Sequence, residues 1–242
     1  MIADLAERYR QGADPEQVKR EARAVLAFVR PEIVALAERE LAQKQLGPEV
    51  LRELHRLHLD DLRDSLARLR VAAPPWHPVR TMLDEHDEIL RTLERLEALN
   101  ARVQRAAAPD PGTGGELAAI ADNLLAAECH HQREEQVVFP ELARRGISAT
   151  VEAMEAEHAE LRQRKHALKD LAAQAEAMDF AAFRRRLDEL AQFLVYNLGD
   201  HIYKENHIIF PAALRLIADV GLWTRLKERC DEIGYPSFRS PH

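Results

Sequence analysis

A chain of 242 residues that is 46% hydrophobic and 31% charged can bury a sizeable core under a polar surface, as one large or two small domains. No apolar run approaches the roughly 20 residues of a membrane span, and a formal net charge of −7 argues against nucleic acid as the main partner. Aromatic residues are scarce at 5%, and long runs rich in Ala, Leu, Glu and Arg predict an all-α fold. The two cysteines, Cys129 and Cys230, make no disulfide framework. The acidic, amphipathic N-terminus resembles neither a signal nor a transit peptide, so a reducing cytoplasm is the expected location.

In chain order, residues 3–70 read as three or four short helices. Asp14 is a candidate N-cap, with Pro15 at the first helical position and Gln17 three residues after the cap. Pro31 opens the next helix and Leu46-Gly47-Pro48 closes it. The prolines of "VAAPPWHP" (71–78) then break the pattern. The expected organisation is an N-terminal helical domain (1–72), a second domain (76–220) and a C-terminal tail (221–242) with one short helix carrying Trp223. The second domain holds four long helical patterns, at about Pro78–Arg105, Glu116–Arg144, Ala149–Ala177 and Asp179–Asp219. Arg145-Gly146 stops the second of these, and Gly199 and Pro211 are irregularities in the fourth. Short connections between helices of this length predict an up-down-up-down four-helix bundle.

Bundle cores draw on positions three and four apart. In the first long helix Val79, Met82, Leu83, Leu90 and Leu93 leave a gap that His86 fills. In the third, Val151, Met154, Leu161 and Leu168 leave one for His158; in the fourth, Leu187, Leu190, Leu194 and Leu198 lead to His201 and Glu205. The second helix gives two answers. Leu117, Ile120, Ala121 and Leu124 centre its face nearer His131 and Glu135. Yet "HHQREEQVVFP" at 130–140 repeats as "HIYKENHIIFP" at 201–211, which aligns His130 and Glu134 with His201 and Glu205. Supercoiling moves Glu134 back toward the core, so His130 and Glu134 are the expected register and His131 and Glu135 the alternative.

One inward histidine is ordinarily a hydrogen-bonded core residue. Four helices each turning one inward, two with a carboxylate one turn later, is a different matter, because an unpaired buried carboxylate costs several kcal/mol. A multivalent cation removes that cost and takes deprotonated carboxylates and neutral imidazoles. Imidazole and carboxylate donors without cysteine suit iron or manganese better than a structural zinc. Two His-x-x-x-Glu pairs on facing helices can bridge two ions. Two iron ions are expected, with manganese or zinc as alternatives.

The pattern His86, His130-x-x-x-Glu134, His158, His201-x-x-x-Glu205, with Phe-Pro after each pair, resembles the hemerythrin-like, or HHE cation-binding, domains of bacteria over about residues 77–220. It is similar in motif to iron-sulfur-cluster repair di-iron proteins. The stretches "ELHRLHLDDLRDSL", "HPVRTMLDEHDEIL" and "WTRLKERCDEIGY" resemble hemerythrin-like proteins that carry an N-terminal DUF438-type helical domain. The resemblance implies a non-haem di-iron centre with bridging Glu134 and Glu205 and terminal His86, His130, His158 and His201. It further implies binding or sensing of O2, NO or peroxide in a redox or stress response, with a protein partner reached through the N-terminal domain. Iron-sulfur-cluster repair, peroxide or NO scavenging, and a metal-stiffened interaction module are the alternatives.

Oxygen-carrying hemerythrins have His-x-x-x-His in the third helix and an aspartate five residues after the fourth-helix histidine. This chain has Arg162 and Glu205 instead, so reversible oxygen transport is not expected. Four histidines leave room for an exogenous ligand or a fifth donor, and His77, just before the first long helix, is the first candidate. His55, His58, His166, His207 and Cys129 are expected outside the site. Trp76 is expected to cover its mouth or to dock the two domains.

Overall fold

The computed structural model describes residues 65–238. The chain divides into two compact units, Met1–Leu69 and Arg70–His242. The helices expected before residue 65, with His55 and His58, lie outside the described residues; the helices and site that follow belong to the second unit.

Helix α1 spans Pro78–Arg105, and Pro78 takes the first helical position, where a missing N–H costs nothing. The second arm of the bundle is built from α2 (Thr113–Ala126), α3 (Glu128–Arg133) and α4 (Phe139–Leu142). Helix α5 (Ser148–Gln174) is the third arm. Helices α6 (Phe180–Lys204) and α7 (Phe210–Leu216) form the fourth, and α8 (Val220–Ile233) follows with Trp223 buried. Among the described residues there is no strand. Helix α1 packs beside α2 and α6, and α5 packs beside the same two, which closes the four-helix ring.

The apolar series lie inward as their spacing predicts. Leu96, Leu99, Leu117, Ile120, Leu124, Leu161, Leu168, Leu187, Leu190 and Leu194 are all buried in one core, each such side chain stabilising by about 1.5–3 kcal/mol over its exposed state. Asp179 and Asp219 accept from Ala182 N at 3.0 Å and Leu222 N at 3.2 Å, capping α6 and α8. Gly146, at φ 94°, ends the second arm in the left-handed region that only glycine enters without strain.

The second and fourth arms are not continuous α-helices. At Ala127 the second arm tightens, with His130 N donating to the Ala127 carbonyl three residues back at 3.0 Å. After Glu134 it widens: Phe139 N reaches back five residues to the Glu134 carbonyl, closing a π turn over Glu134–Val138. The fourth arm repeats this over Glu205–Ile209, with Phe210 N on the Glu205 carbonyl. The cause is Pro140 and Pro211. Proline has no N–H, and its ring collides with the carbonyl four residues back, here Gln136 and His207, so the turn opens by one residue. The freed Gln136 carbonyl accepts from Arg229 of α8 at 2.6 Å. Gly199, by contrast, stays inside α6 without a break.

Candidate metal centre

The π turns over Glu134–Val138 and Glu205–Ile209 begin at the glutamates of the repeated motif. Two clusters of possible metal donors meet there: His131, His158 and His201; and His86, His130, Glu134 and Glu205, with the donor atoms of each within 4.8 Å of one another. All seven residues are buried. The sequence offered His130 and His131 as alternatives. The structure turns both inward, because the tight turn at Ala127 and the π turn after Glu134 change the helical phase on either side of them. Glu135, from the other register, lies partly exposed at the edge.

The carboxylates stand between the two clusters. Glu205 Oε2 lies 3.1 Å from His86 Nε2, and its Oε1 lies 2.9 Å from His201 Nε2 and 3.6 Å from His158 Nε2. Glu134 Oε1 lies 3.3 Å from His130 Nε2 and its Oε2 3.5 Å from His158 Nε2. These approaches lack hydrogen-bond geometry: among the described residues, both oxygens of each glutamate, and Nε2 of His158 and His201, have no hydrogen-bond partner. His86 Nε2 and His130 Nε2 face each other at 3.0 Å. Donors around an ion at about 2.1 Å sit about 3.0–3.4 Å apart in octahedral or tetrahedral geometry, so a set of buried oxygens and imidazole nitrogens at this spacing fits metal ions held between them.

The outer nitrogens are anchored. His86 Nδ1 meets Asn206 Oδ1 at 2.8 Å, His130 Nδ1 meets Glu85 Oε2 at 2.7 Å, His158 Nδ1 meets Glu135 Oε1 at 2.9 Å and His201 Nδ1 meets Glu157 Oε2 at 2.7 Å. Glu85 is in turn held by the buried Arg133 guanidinium at 2.6 Å. His131 Nδ1 faces Lys165 Nζ at 3.4 Å. Phe139 and Phe210 stack on His158 and His86 with ring centroids 5.8 and 5.4 Å apart, so each Phe-Pro of the repeat walls a histidine from another helix.

Electrostatics follow this geometry. Burial opposes charge on His130, yet Glu134 and Glu85 overcome it and raise its pKa to about 10. Burial likewise opposes charge on His201, and Glu205 with Glu157 raises it to about 9. Glu205, despite its burial, is held well below the usual carboxylate range by His201, His158 and His86. His131 runs the other way, pushed well below the ordinary value by burial and by Lys165. Glu205 is therefore held as an anion by the imidazoles around it, a role that a metal ion would take over.

His77, expected as the fifth donor, falls in neither cluster. Its Nδ1 accepts from Val79 N at 3.2 Å as the cap of α1, and its ring lies 4.1 Å from that of Trp223. A fifth buried imidazole comes from His131 instead, on the arm that packs beside α5 and its Arg162. Arg162 itself binds Glu128 Oε1 at 2.6 Å and Glu135 Oε1 at 3.3 Å. His166 is exposed, and His207 is half-buried beside Tyr203. Cys129 is half-buried, with its thiol on the Ala126 carbonyl and its pKa raised by burial. Trp76 lies partly exposed against His77. Sequence reading missed Glu85, Glu157, Asn206 and Lys165; the first three are immediate neighbours of motif residues, the only signal they carried.

Known proteins resemble this chain in sequence. The family model of the hemerythrin HHE cation-binding domain matches residues 77–213. Iron-sulfur cluster repair proteins YtfE from Yersinia pseudotuberculosis serotype IB (strain PB1/+) and Yersinia pestis (strain Pestoides F) are 31% identical to the chain over 140 residues, 54% of this chain and 61% of each relative. The chain thus spans about three-fifths of the curated relatives it matches. With the matched region covering more than half of the sequence and every motif histidine and glutamate inside it, the chain belongs to the hemerythrin HHE cation-binding domain family.

Proposed function

We propose that this chain holds a non-haem di-iron centre between its two donor clusters and uses it to bind or sense O2, NO or peroxide in a redox or stress response. The observation that carries the reading is the pair Glu134 and Glu205, each 0% exposed, with all four oxygens lacking hydrogen-bond partners among the described residues and with the imidazoles of His86, His130, His158 and His201 around them. Ferrous iron with an open position binds small diatomic molecules and peroxide and exchanges electrons with them. The protein's part is to hold and shield. His86, His130, His131, His158 and His201 supply nitrogen donors, and Glu134 and Glu205 span the two clusters. Glu85, Glu135, Glu157 and Asn206 fix four of the imidazoles in the tautomer that turns Nε2 to the centre. Phe139 and Phe210, stacked on His158 and His86, exclude water. The N-terminal unit is the part proposed to report the centre's state to a protein partner.

The likeness to the repair proteins favours a second reading, iron-sulfur-cluster repair, in which the same centre gives up iron. Metal content per chain, with absorption spectra of the reduced and air-exposed protein, tests the centre. About two irons per chain are expected. His201→Ala and Glu205→Ala are expected to lose most of that metal, and near-full iron in both variants would sink the site. One tightly held zinc with a silent spectrum would leave the bundle as a metal-stiffened interaction module. Iron transfer to an apo-cluster protein separates repair from sensing.

A further inference from the structure

Because the motif is written twice, each half shows what the other lacks. Aligned on Phe-Pro, "HHQREEQVVFPELARR" (130–145) and "HIYKENHIIFPAALRL" (201–216) pair Val137 with Ile208, Glu141 with Ala212 and Arg144 with Arg215. In the second arm, α8 packs against the π turn over Glu134–Val138, and Val137 is 0% exposed. In the fourth arm Ile208 is only half-buried and lines a cavity of about 310 Å³. Ile209, Pro211 and Ala212 continue its apolar lining, Ile147 and Thr150 reach it from the turn into α5, and Arg215 stands exposed beside it. The charges differ too. Glu141 pairs with both Arg144 and Arg145, the latter at 2.6 Å. Ala212 has no carboxylate to offer, and among the described residues Arg215 makes no ion pair.

We propose that this cavity binds a medium-chain aliphatic carboxylate, with the alkyl chain over Ile208, Ile209 and Pro211 and the carboxylate on Arg215, in the role that Glu141 plays in the other half. Size and lining fit, since small-molecule pockets start at about 300 Å³ and are mostly apolar with a few polar groups. The alkyl chain takes the exposed part of Ile208 out of water, as the protein itself does for Val137. An exposed ion pair alone contributes little, so the ligand has to carry both a tail and a charge. The site requires no metal ion and stands apart from the centre proposed above. Its occupant rests on the π turn that begins at Glu205.

The test is calorimetric titration of the full chain with sodium octanoate, and with acetate, butanoate, hexanoate and octanol for comparison. One octanoate per chain is expected to bind. Affinity should rise from butanoate to octanoate by up to about fourfold per methylene, the scale of a fully buried one, and acetate should give no measurable binding. Arg215→Gln is expected to weaken octanoate by about fivefold, the upper range of an exposed ion pair, and to leave octanol unchanged. Ala212→Glu restores the carboxylate of the second arm three residues before the arginine, and is expected to abolish octanoate binding while the thermal midpoint stays within a few degrees. No octanoate binding by the unmodified chain overturns the proposal. Undiminished octanoate affinity in Arg215→Gln overturns it as well, as does undiminished affinity in a folded Ala212→Glu chain. None of these results bears on the metal centre, whose iron content is measured separately.

Discussion

Glu85, Glu135, Glu157 and Asn206 obey one rule: each sits beside a proposed donor on its own arm and holds an imidazole on the next. Glu85 of α1 holds His130, Glu135 of the second arm holds His158 of α5, Glu157 of α5 holds His201, and Asn206 of the fourth arm holds His86 of α1. The anchors therefore run once around the bundle, and tilting any one arm disturbs the orientation of a donor on another. His77 stands apart from this ring, and its burial pushes its pKa from the ordinary 6.5 down to about 4. Between those values the unfolded chain takes up a proton that the folded chain refuses, so stability is full above 6.5 and declines as pH falls toward 4. His77→Asn keeps a cap acceptor for Val79 N but does not titrate. Urea midpoints across that window are expected to fall less steeply in the variant, and identical slopes would refute the buried neutral imidazole.

At the scale of elements, the two π turns explain why the motif is written twice. Each proline opens a turn immediately after a glutamate, and each opened turn lets the glutamate and the following phenylalanine both face inward, as Glu134 with Phe139 and Glu205 with Phe210 do. A plain α-helix advances about 100° per residue and would carry residues five apart to well-separated directions. Glycines give the element-scale prediction. Gly146→Ala forces a Cβ into a φ of 94° and is expected to cost about 1–2 kcal/mol. Gly199 lies inside α6, where an added Cβ would meet nothing within 4 Å, so Gly199→Ala is expected to stabilise by about 0.5–1 kcal/mol. Thermal unfolding of the two variants should move in opposite directions; a shared sign would mean that one of these backbone assignments is wrong.

For the molecule as a whole, the donor end of the bundle opposes folding without cations. Two glutamates at 0% exposure with unpartnered oxygens are tolerable only when a cation, or protons on the surrounding histidines, offsets them. Metal removal is therefore expected to lower the urea midpoint. Restoring ferrous iron to 100 times its Kd should return about 2.7 kcal/mol per site. Equal midpoints with and without chelator would show that the bundle does not depend on the ions. No helix among the described residues is long and apolar enough to cross a membrane.

Sequence alone determined which way most residues face. His86, His158 and His201 fall in gaps of apolar series, and burial follows from that placement because helical periodicity is a local property of the backbone. The same periodicity could not choose between His130 and His131, since the choice turns on where the second arm tightens and widens, and both proved buried. Nor could it place a fifth imidazole: His77 is the first candidate in the sequence, and the fold uses that residue to cap α1 and buries His131 beside His158. The anchoring ring and the contact of Lys165 with His131 join positions 23 to 120 residues apart. Such contacts depend on the rotation and axial offset of packed helices, and those are decided only when the whole bundle closes.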